Sequence, residues 1–490
     1  MGGFGGNSHD FGSNLSFGGG TELKNAGDSL NYYLDLSQSR LGRYKTPKGV
    51  IPFVNSKQKH LYGAIDYKFA DTHTLSADYT FDDSRDRTGG AGEYYKDSSE
   101  NYLFSLEPKY RGGFLTYEGE FNDKFSLFSN FGVSKRDYRI LSSRPNDLPM
   151  FSSNASLNNT LYKENILQGE LRGTLNLLDE ALKFITGAQY KKTTLSADGL
   201  DEWGGVEKWK ERETSISPFA QVEFKPVPYA LFIAGIRHDR YDTAGVKTRS
   251  SNPNFRISIF PFAETDHDYT TIWASYKTPS GNERFLPKWL GGNPNLRPEK
   301  SKGYEVGLKQ RFGEWGKLEA SYFRTKYKDM IRLVDLGNFE WLFKNEDAAT
   351  YKGIEVAAEI YPTEWLILYA AYTKGRRDDT IHRVRLYGQP DSTLKYGFII
   401  SELNGFSFSL LARQQRDFKF SNGTDYHPAN KKTLIDTKAM YSWQTGSNIV
   451  IEPYLAIQNL AGTTSYTITG NPYILQSRTW QAGVNFRYNF

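Results

Sequence analysis

Thr479-Trp-Gln-Ala-Gly-Val-Asn-Phe-Arg-Tyr-Asn-Phe490 is the stretch that decides the fold. Trp480, Ala482, Val484, Phe486, Tyr488 and Phe490 alternate with Thr479, Gln481, Gly483, Asn485, Arg487 and Asn489. Successive side chains of a strand point to opposite faces, so this segment is a strand with one apolar face. Leu61, Gly63, Ile65, Tyr67 and Phe69 repeat the pattern and, after the short turn Ala70-Asp-Thr-His73, so do Leu75, Ala77, Tyr79 and Phe81. Phe125, Leu127, Phe131 and Val133 do the same. No period-3.6 stripe of useful length interrupts the series, so the chain reads as all-β from end to end.

Two kinds of connection alternate between these strands. Asn122-Asp123, Leu178-Asp179-Glu180, Pro226-Val227-Pro228, Gly313 to Gly316, Pro362-Thr363-Glu364, Asn404-Gly405 and Thr445-Gly446-Ser447 are short turns. The other connections are long and polar, at about 41–58, 87–101, 139–163, 198–213, 242–251, 279–300, 335–348, 378–390, 420–430 and 461–472. Short turns at one end and long loops at the other describe an outer-membrane β-barrel. Hairpins closed by short turns fall near 60–86, 113–138, 164–197, 214–241, 252–278, 301–334, 349–378, 391–419 and 431–460. With 473–490 and the stretches before residue 60, the expectation is a transmembrane antiparallel barrel of about 22 strands, long loops outside and short periplasmic turns. It occupies 1–490 as one domain.

Composition agrees with that architecture. The 61 Lys+Arg against 56 Asp+Glu leave a net charge of +5, too balanced for a nucleic-acid binder built on electrostatics. Aromatics make up 15% of the residues, whereas mean hydropathy is only -0.61. A barrel with one lipid face and one wet face produces this combination, with the aromatics serving as interfacial girdles. The lack of Cys excludes a disulfide framework, a thiolate metal site and a Cys nucleophile. The greasiest run, Trp365 to Tyr372, is far shorter than the roughly 20 residues of a spanning helix. Met1-Gly-Gly-Phe-Gly-Gly has neither the basic nor the apolar region of a secretory signal. The Gly runs at 2–6 and 18–20 lack a strand-to-helix context and read as loose termini or barrel-edge glycines.

Four segments carry a likeness to the TonB-dependent outer-membrane receptor family. Trp273-Ala-Ser-Tyr-Lys-Thr-Pro-Ser280, Gly291-Gly-Asn-Pro-Asn-Leu-Arg-Pro-Glu-Lys-Ser301 and Tyr304-Glu-Val-Gly-Leu-Lys309 resemble its consecutive signatures, through Pro279, Asn293, Pro294, Asn295, Leu296, Pro298, Glu299, Tyr304 and Glu305. Tyr351-Lys-Gly-Ile-Glu-Val356 and Leu455-Ala-Ile-Gln-Asn-Leu460 resemble two further strands, and Phe490 resembles the terminal aromatic that serves as an assembly signal. The resemblance implies uptake of a ferric complex, such as a siderophore or ferric citrate, energised by the TonB–ExbB–ExbD system through a plug. Neither a plug-like segment nor a TonB box is found in this chain, so the plug is expected elsewhere, as a separate polypeptide or outside this fragment. A plugless passive channel is the alternative, as is a receptor for haem or cobalamin. Haem receptors of the family usually carry a His between the Pro-Ser and Asn-Pro-Asn-Leu signatures. Here that interval, Gly281 to Leu290, has none.

Ligand chemistry is expected in the outer loops. Arg284, Lys288 and Trp289 form one basic and aromatic cluster; Arg376, Arg377, His382, Arg383 and Arg385 form another, and His427 lies in a further loop. Arg presents a fork that matches carboxylate or catecholate oxygens, and Trp adds a stacking face. The same charges also suit outer-membrane lipid and lipopolysaccharide. His73 and His267 fall in periplasmic turns, and His238 sits near the outer end of a strand. The acidic pairs Asp82-Asp83 and Asp378-Asp379 are placed in loops beside Arg85 and Arg376-Arg377, as local charge balance. Nucleophile elbow, zincin and phosphate-loop motifs are absent. A transporter without catalytic residues, cofactor or metal site is therefore the expectation.

Overall fold

The computed structural model describes residues 2–5, 10–23, 27–41, 44–46, 49–51, 55–88, 103–143, 158–200, 206–260, 267–277, 279, 281–285, 291–337, 340–381, 390–416, 419–421, 426–428, 432–445, 448–463 and 478–488. Strands follow one another almost without interruption. They are β1 (Gly2–Gly5), β2 (Asp10–Glu22), β3 (Ser29–Leu41), β4 (Tyr44–Thr46), β5 (Gly49–Ile51), β6 (Asn55–Phe69), β7 (His73–Thr88), β8 (Leu103–Asn122) and β9 (Phe125–Ser143). β10 (Asn158–Leu177), β11 (Leu182–Leu200), β12 (Val206–Val227), β13 (Ala230–Thr243), β14 (Val246–Ile259) and β15 (His267–Lys277) precede a short helix, α1 (Gly281–Phe285). After it come β16 (Glu299–Arg311), β17 (Gly316–Gly337), β18 (Glu340–Thr363), β19 (Leu366–Asp379), β20 (Ser392–Leu403) and β21 (Phe406–Arg416). β22 (Lys419–Ser421), β23 (Tyr426–Pro428), β24 (Lys432–Tyr441), β25 (Trp443–Thr445), β26 (Ile449–Gln458) and β27 (Thr479–Tyr488) complete the chain.

All pairings are antiparallel, most of them between strands consecutive in the chain, and a single sheet holds 23 of the strand segments. β24 and β25 both pair with β26, forming one interrupted stave, so the sheet has 22 positions. β1 pairs with β2 on one side and with β27 on the other, so the ladder returns to its start. The expected strand number is thus found, and the Gly2–Gly5 run, expected as a loose terminus or as barrel-edge glycines, is a strand at the seam. The short hairpins β4–β5 and β22–β23 stand apart from the main sheet.

Alternation sets the two faces. Ile65, Leu115, Phe131, Val133, Ile272 and Phe486 are all exposed on one side of the wall, and the few buried apolar side chains include Ala197, Ala230, Leu296, Ala349 and Ala412. An exposed apolar band around a sheet that satisfies its own backbone is the lipid-facing wall of a transmembrane barrel. No described helix is long and apolar enough to cross a membrane. At the periplasmic end the girdle is visible as neighbouring rings: Tyr67–Phe69 at 5.5 Å, Phe69–His73 at 5.3 Å, His73–Phe121 at 5.3 Å and Phe121–Phe125 at 5.7 Å. His73 shares a 2.8 Å hydrogen bond with the Tyr117 hydroxyl, which ties this histidine into the belt.

Tight turns form where side chains or backbone conformation close them. Asn122 Oδ1 accepts the amides of Lys124 and Phe125, both at 2.9 Å, an Asx turn. Asn404 and Gly405 both adopt positive φ, 50° and 82°, as a type I′ hairpin turn requires.

Three expected long loops are corrected, the first being 198–213, where β11 runs to Leu200 and β12 starts at Val206 so that most of it is paired strand. Residues 242–251 are a hairpin rather than a loop: β13 turns into β14 through Ala244 (φ 51°) and Gly245 (φ 86°), with Asp242 Oδ1 accepting the Gly245 amide at 3.0 Å. Residues 335–348 are mostly strand, because β17 and β18 extend well beyond their membrane-facing parts. Above the membrane both faces meet water, so the apolar alternation that marks a strand disappears. For the same reason Asp82-Asp83 and Asp378-Asp379 lie within β7 and β19, not in loops.

Candidate ligand-binding site

The segment between β15 and β16 is built on its own backbone and on two neighbouring strands. The Asn293 amide donates to the Glu283 carbonyl at 2.9 Å, which folds α1 back over the following turn. Asn293 Nδ2 donates to the Phe343 carbonyl at 2.8 Å, and the Phe343 amide donates to the Gly291 carbonyl at 2.8 Å. Asn345 Nδ2 donates to the carbonyls of Arg297 (2.8 Å) and Asp329 (2.7 Å), while its Oδ1 accepts the Arg297 amide at 2.8 Å. Glu299 Oε1 accepts the Ile331 amide at 2.7 Å, and Lys277 reaches Glu283 (3.3 Å) and Glu299 (3.6 Å). Pro279 and Leu296 are fully buried. The signature residues Asn293 and Glu299 therefore pin the segment to the extracellular extensions of β18 and β17, and Leu296 is buried within it. Pro294 and Asn295 are exposed on the turn and Pro298 is half-buried. Tyr304 faces lipid beside Tyr322 (6.1 Å), whereas Glu305 faces the lumen and accepts the Tyr269 hydroxyl at 2.5 Å.

Pinned this way, α1 presents two side chains to the inside of the barrel. Phe285 stands 6.0 Å from Trp209, the end of a luminal aromatic row that continues to Tyr162 (6.5 Å) and Tyr138 (4.8 Å, stacked). Glu207, almost fully buried, accepts both the Tyr162 hydroxyl (2.8 Å) and Trp209 Nε1 (3.1 Å), which fixes the planes of these rings. Arg284 is only 2% exposed. Its Nη2 donates to the Leu296 carbonyl at 3.0 Å, but Nε and Nη1 have no acceptor. Burial lowers its pKa, while the carboxylates of Glu213 and Glu283 act in the opposite direction. A buried cation with unmade bonds, one residue before the ring that ends an aromatic row, suits a flat, conjugated or oxygen-rich anion.

The second expected cluster does not act as one. Arg377 lies in the lumen with its guanidinium 5.0 Å from the centre of the Tyr351 ring, whereas Arg376, one residue earlier, points outward and its Nε donates to both Asp378 oxygens (2.8 and 2.9 Å). Strand alternation separates them. Lys288, Trp289, His382, Arg383, Arg385 and Phe490 lie outside the described residues, and the backbone of His427 pairs with Phe420 in the β22–β23 hairpin. His238 is on the outward face, 2.9 Å from the Ser251 hydroxyl.

One luminal group escaped the sequence reading. His60 meets Asp82 at 2.6 Å across the β6–β7 ladder. Close by, Asp35 accepts Asn14 (2.8 Å) and Ser16 (2.6 Å). The signal was present, because His60 alternates with the apolar positions Leu61 and Ile65 and so must face inward. Among the described residues no group of three or more His, Cys, Asp or Glu could hold a metal ion.

Comparison with known proteins gives a consistent setting. The TonB dependent receptor-like, beta-barrel family matches residues 60–489. The vitamin B12 transporter BtuB of Vibrio vulnificus (strain YJ016) is 29% identical over 268 residues, covering 52% of this chain and 40% of the relative. Heme/hemopexin utilization protein C of Haemophilus influenzae (strain 86-028NP) is 31% identical over 184 residues, covering 31% of this chain and 26% of the relative. The chain spans less than half the length of these curated relatives. Among solved structures, the copper transporter OprC superposes with a TM-score of 0.80 at 14% identity, over 99% of this chain and 82% of that one. The siderophore receptor PiuA from Acinetobacter baumannii gives 0.77 at 14% identity, over 99% and 81%. At such identities the likeness is one of fold.

Proposed function

Because this chain belongs to the TonB-dependent receptor β-barrel family of bacterial outer-membrane proteins, we propose that it is the barrel through which an outer-membrane receptor takes up a ferric complex of the siderophore or ferric-citrate kind. The observation that carries this reading is the row Tyr138–Tyr162–Trp209–Phe285 beside the acceptor-poor guanidinium of Arg284. Rings stack on the conjugated part of a chelate, and the guanidinium meets its carboxylate or catecholate oxygens. Because Arg284 is buried under its own segment, a ligand reaches it as that segment shifts, and binding is thereby coupled to movement of α1.

Energy for release comes from the TonB–ExbB–ExbD system, transmitted by a plug seated in the lumen. The barrel wall supplies binding and a path, with no chemical step. Fluorescence titration of the purified receptor with ferric citrate, a ferric tris-catecholate, haemin and cyanocobalamin tests the ligand class through Trp209. Saturable quenching by an iron chelate, lost in Trp209→Leu by comparison with a second tryptophan variant, is the expected result. Tight binding of cyanocobalamin or haemin alone would transfer the assignment to that ligand. Uptake of the chelate by cells should vanish when TonB is deleted; uptake that persists would make the barrel a passive channel.

A further inference from the structure

β12 outgrows the strand on one of its sides. Toward β11 it stays paired up to Val206, opposite Leu200, whereas its ladder with β13 ends at Glu213, opposite Thr243, where the β13–β14 hairpin turns back. Val206 to Arg212 therefore forms a sheet edge that stands above that turn. Backbone groups in an antiparallel ladder alternate between the two neighbours. The Arg212 carbonyl accepts the Ala244 amide at 3.0 Å, so the even-numbered residues of this part of β12 point toward β13; the Lys225 amide donates to the Ala181 carbonyl at 2.7 Å, so the odd-numbered ones point toward β11. The amides and carbonyls of Lys208 and Lys210 thus face the open side, and among the described residues they have no backbone partner there.

Two other upper edges show how such a row is closed. β18 outlasts β19 above Ala349, and there the chain supplies its own cover, because the Phe343 amide donates to the Gly291 carbonyl at 2.8 Å. β14 parts from β15 above Asn254. The Phe260 amide, bonded to the Tyr229 carbonyl at 2.8 Å, sets the even-numbered residues of β14 toward β13, so Pro253 stands at the foot of the open edge with no amide to offer it. Among the described residues the β12 edge has neither device, and no proline lies between Val206 and Arg212.

Its side chains say what could lie along it. Lys208, Lys210 and Arg212 are exposed on the outward face and make no ion pair among the described residues. Lysines on an edge discourage apolar or basic strands and admit an acidic one. Trp209 and Glu211, between them, face the lumen, and Trp209 belongs to the ring row that ends at Phe285. Edge and ring row share one strand, so a single molecule with an extended amide backbone reaches both.

We propose that the ligand of this barrel includes a short extended peptide, which adds to β12 as a further strand along Val206 to Arg212. Its carboxylates lie opposite Lys208 and Lys210, and its chelating groups are directed toward Trp209. This rests on the reading of the lumen as a chelate site and narrows it to chelates built on a peptide backbone. Main-chain bonds of this kind supply affinity whichever donor groups hold the iron.

The test uses the purified receptor in detergent with three probes: an acidic linear peptide bearing three hydroxamates and loaded with Fe(III), the same complex with every other backbone amide N-methylated, and ferric citrate. The metal-free peptide is run in parallel. The unmethylated complex should bind tightest, N-methylation should weaken it about tenfold or more, and the Lys208 and Lys210 amides should gain protection from hydrogen exchange. Lys208→Pro/Lys210→Pro removes the donors on the open side and leaves the β11 ladder whole; it should lose the peptide complex by a similar factor and leave ferric citrate unchanged. Equal binding of the methylated complex, full binding by the proline variant, or an equal loss in Lys208→Gln/Lys210→Gln, which keeps both amides, would each overturn the strand. If no iron complex binds while the metal-free peptide still protects both amides, the strand stands and the chelate reading falls. Should the proline variant fail to show heat-modifiable folding, the methylated probe on the native chain decides alone.

Discussion

Arg284 and Arg324 are the arginines whose buried guanidinium nitrogens lack an acceptor among the described residues, and they lie on opposite sides of the barrel wall. Arg284 belongs to a short helix at the extracellular end, where the carboxylates of Glu213 and Glu283 act on it and the next residue, Phe285, meets Trp209. Arg324 belongs to a strand and looks outward, with Tyr322 below it on the same face and Lys352 across the ladder. The same chemical deficit thus has two solvents to draw on. Inside, the wall borders the aqueous lumen; outside, it borders lipid. Charge alone would not distinguish the two cases, and the parity of the strand does.

The largest effects should be the crossed ones. Arg284→Met is expected to weaken the luminal chelate about tenfold or more, the loss of a charge-assisted hydrogen bond worth roughly 1.5–3 kcal/mol. Arg324→Met, on the outward side of the wall, should leave chelate affinity unchanged, and titration of the chelate against both variants would reveal any failure of that separation. Next in size is Asn345→Ala, which removes three hydrogen bonds that pin the signature segment. It should raise amide hydrogen exchange around 291–297 and reduce chelate affinity by several-fold, at a local cost of about 1–3 kcal/mol. Equal protection in the variant would show that the pin is dispensable.

Smaller effects compare a like-charged pair with an oppositely charged one on the outward face. In lipid-free detergent Lys302→Gln should stabilise the barrel by about 0.2–1 kcal/mol by relieving its opposition to Lys326, whereas Glu107→Gln should destabilise it by a similar or smaller amount by removing the partner of Arg85. Opposite shifts in thermal unfolding are the signature, and shifts of the same sign would remove the distinction. Smallest of all is Arg376→Gln, since its pair with Asp378 is exposed; unfolding should move by no more than about 0.5 kcal/mol.

The sequence was most legible where the wall touches lipid. In β6, β7 and β27 one face must be apolar, so the period of two is written into Leu61 to Phe69, Leu75 to Phe81 and Trp480 to Phe486. It was least legible where the same strands rise into water. Asp242 to Ser251 carries no apolar alternation and reads as a loop, although a two-residue turn closes it. For the candidate site, the motif marks the segment that holds Arg284, but sequence could not tell that Asn293 and Glu299 serve that segment's anchoring. Nor could it assemble Tyr138, Tyr162 and Trp209, which come from three strands and meet only through the ladder register. Arg376 and Arg377 show the opposite error, in which adjacency in the chain suggests a cluster that the pleat divides.

The two-residue turn at Ala244–Gly245 gives the extracellular end a direction of approach. β17 and β18 run to 22 and 24 residues and carry the pinned segment against them, while β13 and β14 stop at 14 each and add no loop of their own. The parapet is therefore cut low on one flank and built high on another. A small solute drifting in over the low flank comes directly upon β12, the strand that bears Trp209, whereas a bulky body arriving from the side is met first by the tall one.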